Sequence, residues 1–358
     1  MPESQYLIVG QGIAGTSLAW ELLRRGQKFL VIDDPALPSS SLVAAGIFNP
    51  LTGRKLVKTW LADTIFPHAL AFYRHVEAEL GITCLHTTDL FRPYRNEEEK
   101  TSYLKWAASD EYAPFVASGQ PDFSDDAFIR APYNGLSVNR SGWVDLPRFL
   151  ENSRNYFEKL GCFEPAHFRS QDLDIGEEAV QWQGRSFEKV ILCMGVGAEN
   201  DPLFNWLPFN PVKGQILNCR IERYPHSRII NQGIFILPAG NEKVRVGATY
   251  SWHDLDWEPT EDGRDYLAGK LKSLLKVPFE IESQVAGIRP SSKDRRPFAG
   301  RHPEHDRLFI FNGLGTKGVT LAPYFAAQLV KLLLDGQEIM ADANIGRYFS
   351  LYSNPRKP

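Results

Sequence analysis

The sequence has few of the residues that define several protein classes. Its four cysteines lie far apart, without Cys-x-x-Cys or zinc-ligand spacing, which argues against a disulfide-stapled or zinc-finger framework. No apolar run approaches the ~18 residues of a membrane span, and no basic segment precedes the first apolar run. We therefore predict no membrane anchor and no signal peptide, and expect a cytoplasmic protein with reduced thiols.

Excess charge of one sign is also missing. The net charge is -3 and the pI is about 6.3, which gives no overall attraction for nucleic acid or anionic membrane. The sequence shows no repeats, no Ser-His-Asp string and no metal-ligand cluster. With 358 residues, 43% of them hydrophobic, it is long enough for about two domains with sizeable cores.

The most informative segment lies near the N-terminus, where an apolar run, Tyr6–Val9, leads into Gly10-x-Gly12-x-x-Gly15. A helix is predicted to follow over residues 13–25. In this motif the glycines permit a tight turn and close approach to a pyrophosphate, which the helix N-terminus faces.

A second β-rich run, residues 29–32, ends in Asp33, roughly 20 residues beyond Gly15, where an acid accepts a hydrogen bond from a ribose hydroxyl. Together these segments predict a dinucleotide site. The alternative is a structural glycine turn that binds nothing.

Further along the chain, the pattern predicts helices over residues 67–80, ended by Gly81, and from an Asp145 N-cap to Leu160. The charged run 97–100 is interpreted as a solvated helix start. Residues 190–195 form a buried strand of parallel type, whereas 211–250 alternate as antiparallel strands do. Apolar strands return at 285–290 and 308–311. Gly313 to Gly318 then opens a final helix that ends at Gly336.

In their order, these segments resemble the FAD-dependent D-amino acid oxidase superfamily, which includes glycine oxidase and monomeric sarcosine oxidase. The similarity covers nearly the whole chain. It rests on residues 10–15 with Asp33, 44–50, 142–145, 192–195, 211–215, 246–249, 286–290 and 313–323.

The resemblance implies an α/β protein, α+β overall, with two parts. A Rossmann-like FAD-binding domain with a parallel sheet is expected from residues 1–58, 140–210 and 283–358. A substrate domain on a mostly antiparallel sheet is expected from 59–139 and 211–282.

The implied cofactor is non-covalent FAD, because no cysteine stands near 313–318 to tether it as in sarcosine oxidases. The pyrophosphate and ribose positions correspond to Gly10, Gly12, Ile13, Ala14, Gly15 and Asp33. Ala45, Gly46 and Ile47 are expected along the isoalloxazine. The remaining cofactor positions are Gly195, Gly313, Gly315, Thr316, Lys317 and Gly318, with 315–318 at the pyrimidine edge, where a helix N-terminus favours negative charge.

The implied substrate residues are Arg289, Tyr250 and Arg245. In the matching Gly-x-Arg-Pro motif the arginine holds the substrate carboxylate through two parallel bonds. The alternative is a structural salt-bridge arginine. Tyr250, with Trp252 and His253, either walls the pocket or packs at a sheet edge. Arg245 occupies the position of the oxygen-activating lysine of sarcosine oxidases.

Departures from the family's pattern narrow the choice among members of the superfamily. Thr249 stands where sarcosine oxidases have a histidine, and Thr316 where glycine oxidase has a second substrate arginine. The string 313–323 looks more like the oxidase half of the bifunctional enzyme of methylaminomethyl-uridine synthesis in tRNA.

The expected activity is oxidation of an amino acid or secondary amine by hydride transfer to flavin, followed by imine hydrolysis and reoxidation by oxygen to hydrogen peroxide. Expected partners are therefore a small amine and oxygen, and tRNA remains open although the charge does not indicate it. The alternatives are an oxidase of a carboxymethylaminomethyl-uridine-type modification, an NAD(P)-dependent dehydrogenase and a non-catalytic flavoprotein.

Overall fold

A computed structural model describes residues 5–117 and 122–353 of the chain. The helices in these ranges are α1 (Ile13–Arg24), α2 (Ser40–Val43), α3 (Ala62–Leu80), α4 (Glu97–Ala107), α5 (Leu146–Lys159), α6 (Glu261–Leu274), α7 (Gly318–Asp335) and α8 (Phe349–Ser353).

The strands in the same ranges are β1 (Tyr6–Val9), β2 (Phe29–Asp33), β3 (Ile47–Phe48), β4 (Leu51–Thr52), β5 (Val57–Lys58), β6 (Leu85–Thr87), β7 (Leu90–Pro93), β8 (Gly135–Val138), β9 (Gly142–Val144), β10 (Phe163–Pro165), β11 (Leu173–Ile175), β12 (Val180–Trp182), β13 (Arg185–Phe187), β14 (Lys189–Leu192), β15 (Val212–Arg220), β16 (Ile229–Asn231), β17 (Phe235–Gly240), β18 (Lys243–Gly247), β19 (Glu280–Arg289), β20 (Phe298–Arg301) and β21 (Leu308–Asn312).

A six-stranded sheet has the order β10-β2-β1-β14-β21-β20, in which only β20 runs antiparallel to its neighbour. Alternate side chains of β1 enter different cores, because side chains along a strand point to opposite faces. Ile8 packs in the core that contains Leu18 of α1 and Phe325 of α7, whereas Leu7 packs in the core that contains Trp182. The sheet is therefore covered on both faces, as parallel sheets are.

A seven-stranded sheet has the order β19-β15-β18-β17-β16-β7-β8, with antiparallel pairing except between β16 and β7. One face packs against α6, where Leu217 and Val246 share a core with Leu267. The opposite face carries Leu237, which packs with Ala45 and Ile47. The second face thus meets the segment predicted to line the flavin.

The predicted fold class is confirmed: a parallel sheet of Rossmann type and a mostly antiparallel sheet are both present. The division into domains stays a prediction. Strand β19 crosses the expected boundary at 283 and pairs along its length with β15 of the antiparallel sheet.

The predicted start of α3 is wrong. The helix begins at Ala62, so Pro67 lies inside it rather than at its first position. Ile65 and Phe66 are buried in the core, and their packing outweighs the one backbone bond that Pro67 cannot donate. Helix α7 is also not the final helix, because α8 follows it.

Candidate active site

The dinucleotide turn connects β1 to α1. Gly10 has φ +101°, and a Cβ there would lie 2.6 Å from the Cys193 carbonyl oxygen. A Cβ on Gly15 would lie 1.9 Å from the Gly10 carbonyl oxygen. Larger residues would break this turn, and with glycines it leaves the start of α1 accessible. The first N–H groups of a helix lack partners within the helix, so this cradle fits a pyrophosphate.

Ser41 supports the same helix start, because its Oγ accepts a hydrogen bond from the Ile13 N–H at 3.0 Å. Ser41 belongs to α2, whose neighbour Ser40 donates to the Ile288 carbonyl. Helix α2 therefore connects the dinucleotide turn to β19 of the antiparallel sheet. The sequence motif did not indicate this connection.

Asp33, at the end of β2, is shared between two roles. Its Oδ1 accepts the Gln11 N–H at 2.9 Å, and Oδ2 lies 3.3 Å from the Arg154 guanidinium. Burial raises the pKa of Asp33, partly offset by these two contacts. The carboxylate fixes the turn and remains partly accessible, which suits an acceptor for a ribose hydroxyl.

The segment predicted to line the isoalloxazine is held by close backbone contact. Gly46 has φ +71°, and a Cβ there would lie 2.0 Å from the Val144 carbonyl oxygen. The Val144 N–H donates to the Gly46 carbonyl at 3.0 Å. Glycine is thus required at position 46, where the chain approaches β9. Residues 45–47, predicted to lie along the isoalloxazine, are termed the ring cradle.

The glycine-rich segment before α7 lies beside the dinucleotide turn: a Cβ on Gly318 would approach the Ile13 side chain to 3.3 Å. Asn312 connects Gly313 to Gly195 by accepting the Gly313 N–H and donating to the Gly195 carbonyl, both at 2.8 Å. The predicted cofactor residues from both ends of the chain therefore converge.

Lys317 and Thr316 differ in environment. Lys317 Nζ lies 3.2 Å from Thr59 Oγ1, and burial, together with the charges of Arg296 and Arg295, lowers its pKa. Thr316 is exposed. Lys317 is therefore the half-buried cation of this segment.

Arg289 ends β19 on the face of the antiparallel sheet that carries Gly214 and Gly287. The guanidinium lies against Gly214, where a Cβ would be 2.1 Å from Nη2, and 4.4 Å from the Tyr250 ring. Its protein bonds are long, at 3.3 to 3.4 Å to the carbonyls of Thr249 and Lys213.

No acidic side chain in the described ranges pairs with Arg289. Burial lowers the pKa of Arg289, but a guanidinium stays protonated in proteins. Among the described residues this largely buried cation therefore has no counter-charge, and an ion-pair role does not account for it.

Arg245, on β18, points from the same sheet face to the flavin segment. Its two terminal nitrogens donate to the carbonyls of Ala44, at 3.0 Å, and Val43. Burial lowers the pKa of Arg245. Its donors are therefore directed at the backbone that leads into Ala45–Ile47.

Sequence reasoning missed Lys213 and Asp256, which form an ion pair behind Tyr250. They are separated by 43 positions, and neither belongs to a periodic pattern. The one signal for Lys213 in the sequence is its place in the Pro-Val-Lys-Gly-Gln segment.

The other residues predicted near Tyr250 lie at the surface or in a local turn. Trp252 is 54% exposed, and the His253 N–H donates to Ser251 Oγ at 3.2 Å.

Two features are absent from residues 5–117 and 122–353. No helix there combines the length and apolarity of a membrane crossing. No group of three or more His, Cys, Asp or Glu is arranged to hold a metal ion.

The dinucleotide turn on a parallel sheet, with an antiparallel sheet facing the ring cradle, is typical of dinucleotide-dependent oxidoreductases. The profile described as "FAD dependent oxidoreductase" matches residues 5–332. The chain belongs to this DAO family, and its cofactor is FAD.

Among known proteins, the glycine oxidase of Bacillus licheniformis is 24% identical over 354 residues, which covers 92% of each chain. The tRNA 5-methylaminomethyl-2-thiouridine biosynthesis bifunctional protein of Marinobacter nauticus is 23% identical over 347 residues, which covers 90% of this chain and 54% of that protein. The crystal structure of glycine oxidase from Bacillus cereus superposes with a TM-score of 0.75 at 20% identity, covering 94% of this chain and 96% of that one. The protein is thus an FAD-dependent oxidoreductase of the glycine and amino acid oxidase type, and the nicotinamide-dependent alternative loses its support.

Proposed function

We propose that the protein oxidises the C–N bond of an amine that bears a carboxylate, and that Arg289 binds this carboxylate. The observation that carries the proposal is the desolvated Arg289 guanidinium, which lies against Gly214 and has no described acidic partner. A buried cation without a counter-ion is costly, so such a site favours an anionic ligand. The fork of N–H donors matches a carboxylate.

The other residues of the site serve orientation. Tyr250 packs its ring over the Arg289 guanidinium at 4.4 Å and so restricts the movement of the fork. Arg245 holds the Val43 and Ala44 carbonyls, which gives it a positioning role for the ring cradle. Gly214 leaves room for the Arg289 guanidinium, and Gly287 leaves room for the Val43 side chain of α2.

Bound FAD supplies the hydride acceptor for the substrate α-carbon. The protein contributes by holding that carbon in place through the carboxylate, because correct placement lowers the entropic barrier to reaction. The product imine hydrolyses in water, and oxygen is the proposed final acceptor, with hydrogen peroxide formed.

The test is an anaerobic screen of the holoenzyme for bleaching of the flavin colour. Glycine, sarcosine, larger N-alkyl glycines and both enantiomers of common amino acids are compared with matched amines that lack the carboxylate. Bleaching by carboxylate-bearing amines alone supports the proposal. Equal bleaching by simple amines contradicts the role of Arg289.

A second candidate substrate is a carboxymethylaminomethyl-uridine group of tRNA. The Tyr250 ring, which packs over Arg289, is 58% exposed, so one wall of the proposed carboxylate site lies at the protein surface, where we propose that a large substituent on the amine extends outward. The 313–323 string and the Marinobacter nauticus relative support the same candidate. Faster bleaching by the modified nucleoside or by tRNA than by sarcosine favours it.

A further inference from the structure

Lys213 is a buried lysine on the rear face of the antiparallel sheet, opposite Arg289. It pairs with Ile288 across β15 and β19, whereas Arg289 pairs with Val212, so the two side chains point to opposite faces. The Lys213 side chain is only 2% exposed. Its ammonium group pairs with Asp256, whose side chain is 58% exposed.

Asp256 belongs to the connection between β18 and α6, residues 248–260. This connection begins as an extension of β18: Lys213 and Ser251 exchange two backbone hydrogen bonds of 2.8 and 3.0 Å. Tyr250 therefore points to the front face, toward Gly214 and Arg289. The chain then passes behind the sheet, where Asp256 meets Lys213 and Thr260 meets Gln215 at 2.9 Å.

Lys213 thus connects the front and the rear of one substrate-binding element. Its carbonyl accepts a bond from Arg289 at 3.4 Å, its backbone pairs with the residue after Tyr250, and its side chain fixes the returning chain. If residues 252–258 moved away, the ammonium would be buried without a counter-charge. The ion pair therefore opposes movement of the segment that carries Tyr250.

We propose that the Lys213–Asp256 ion pair is a positioning device for carboxylate binding, which holds Tyr250 against the Arg289 guanidinium. This inference rests on the proposed function of the Arg289 site. Removing the pair should weaken carboxylate binding while leaving the maximal rate of flavin reduction nearly unchanged, because neither residue faces the ring cradle.

The probe is glycolate, a small carboxylate without an amine, titrated against the holoenzyme and followed by the flavin absorbance. In Asp256→Asn we expect the Kd for glycolate, and the KM for the best carboxylate-bearing amine, to rise about tenfold, the size of effect that losing one charge-assisted contact produces. The rate of anaerobic bleaching at saturation should change less than about twofold. Amide hydrogen exchange across residues 249–258 should become faster.

Two variants provide controls. Asp256→Glu keeps the charge on an exposed chain segment and should retain wild-type values. Asp254→Asn removes a carboxylate from the same connection, where Asp254 has a left-handed φ of 51° that asparagine tolerates, and should also leave them unchanged.

If Asp256→Asn fails to retain FAD, Lys213→Met removes the buried ammonium itself, and the same rise in the glycolate Kd is expected there. Wild-type glycolate affinity and wild-type exchange in both variants would overturn the inference. A wild-type enzyme that neither binds glycolate nor oxidises carboxylate-bearing amines would instead contradict the proposed function. In that case the exchange rates still decide whether the pair fixes the segment.

Discussion

Arg289 shows how a single side chain limits the choice of substrate. Its carbonyl contacts of 3.3 to 3.4 Å are at the long end of hydrogen bonding and leave its charge uncompensated. Arg289→Lys keeps the charge but loses the planar fork, and we expect KM for carboxylate-bearing amines to rise tenfold or more, about 1.4 kcal/mol. Arg289→Ala should lose more, with FAD content intact.

Steady-state kinetics on the purified variants check this prediction. Arg220→Ala is the matched control, because Arg220 lies at the other end of β15 and pairs with Glu242 at the surface. Unchanged KM in both Arg289 variants would make Arg289 a structural residue.

At Asp33, the structure adds a contact to the role predicted from the sequence. Asp33→Ala removes the ribose acceptor and also the acceptor of the Gln11 N–H. We expect FAD to bind about ten- to a hundredfold more weakly, since a charge-assisted bond is worth about 1.5 to 3 kcal/mol. Fluorescence titration of the apoprotein with FAD measures the change in the Kd for FAD. Asp34→Ala, which removes the contact with His167 and the acceptor of the Ala36 N–H but leaves Gln11 untouched, should have a much smaller effect.

At the scale of elements, the β1–α1 turn depends on the close approach of Gly15 to the Gly10 carbonyl oxygen. Gly15→Ala places a Cβ 1.9 Å from the Gly10 carbonyl oxygen, so α1 must shift away from the turn. We expect loss of FAD retention and a lower melting temperature. The control is Gly269→Ala in α6, where nothing lies within 4 Å of the added Cβ; it should stabilise the fold by about 0.5 to 1 kcal/mol.

The sequence predicted elements well where local signals define them. Asp145 caps α5 by accepting the Arg148 N–H at 3.2 Å, and Gly336, with φ +67°, ends α7 as expected. The prediction was wrong for the start of α3, because Pro67 suggested the first position of the helix, whereas tertiary packing extends the helix back to Ala62. Motifs singled out Arg289 and Asp33, whose roles stay predictions. They did not reveal the Lys213–Asp256 pair, because a long-range ion pair leaves no periodic pattern in either segment.

For the molecule as a whole, His302 is expected to make stability depend on pH. It is 3% exposed, and burial, with the charge of His305, lowers its pKa to about 4. Between pH 6.5 and about 4 the unfolded chain binds a proton that the folded protein does not. The free energy of unfolding should therefore fall as pH drops through this window, by up to about 3 kcal/mol, and His302 should add no further loss below it.

Denaturant unfolding at several pH values, with FAD saturating, measures this dependence. The amide oxygen of Asn in His302→Asn is able to accept the Glu304 N–H. In this variant the free energy of unfolding should fall less steeply with decreasing pH than in the wild type. His75→Asn, on the exposed side of α3, should follow the wild type. An identical slope in His302→Asn would contradict the assignment.

The cofactor is predicted to be held without a covalent bond. The Cys193 carbonyl lies against Gly10, but the thiol is buried and its pKa is raised, so it stays protonated and unreactive. Acid denaturation should therefore release all the yellow colour into the supernatant as FAD, identified by chromatography. Colour that remains with the precipitated chain would mean a covalent link.

The contact between Gly318 and Ile13 has a consequence for biosynthesis. The turn predicted to receive the pyrophosphate is synthesised before β21, which joins β20 to the parallel sheet, and before α7, which begins beside that turn. A nascent chain released only as far as β20 lacks both the strand that joins β20 to the sheet and the helix that begins beside the turn. We therefore expect FAD to be captured only after β21 and α7 have been synthesised, which makes cofactor supply at that moment a determinant of folding yield.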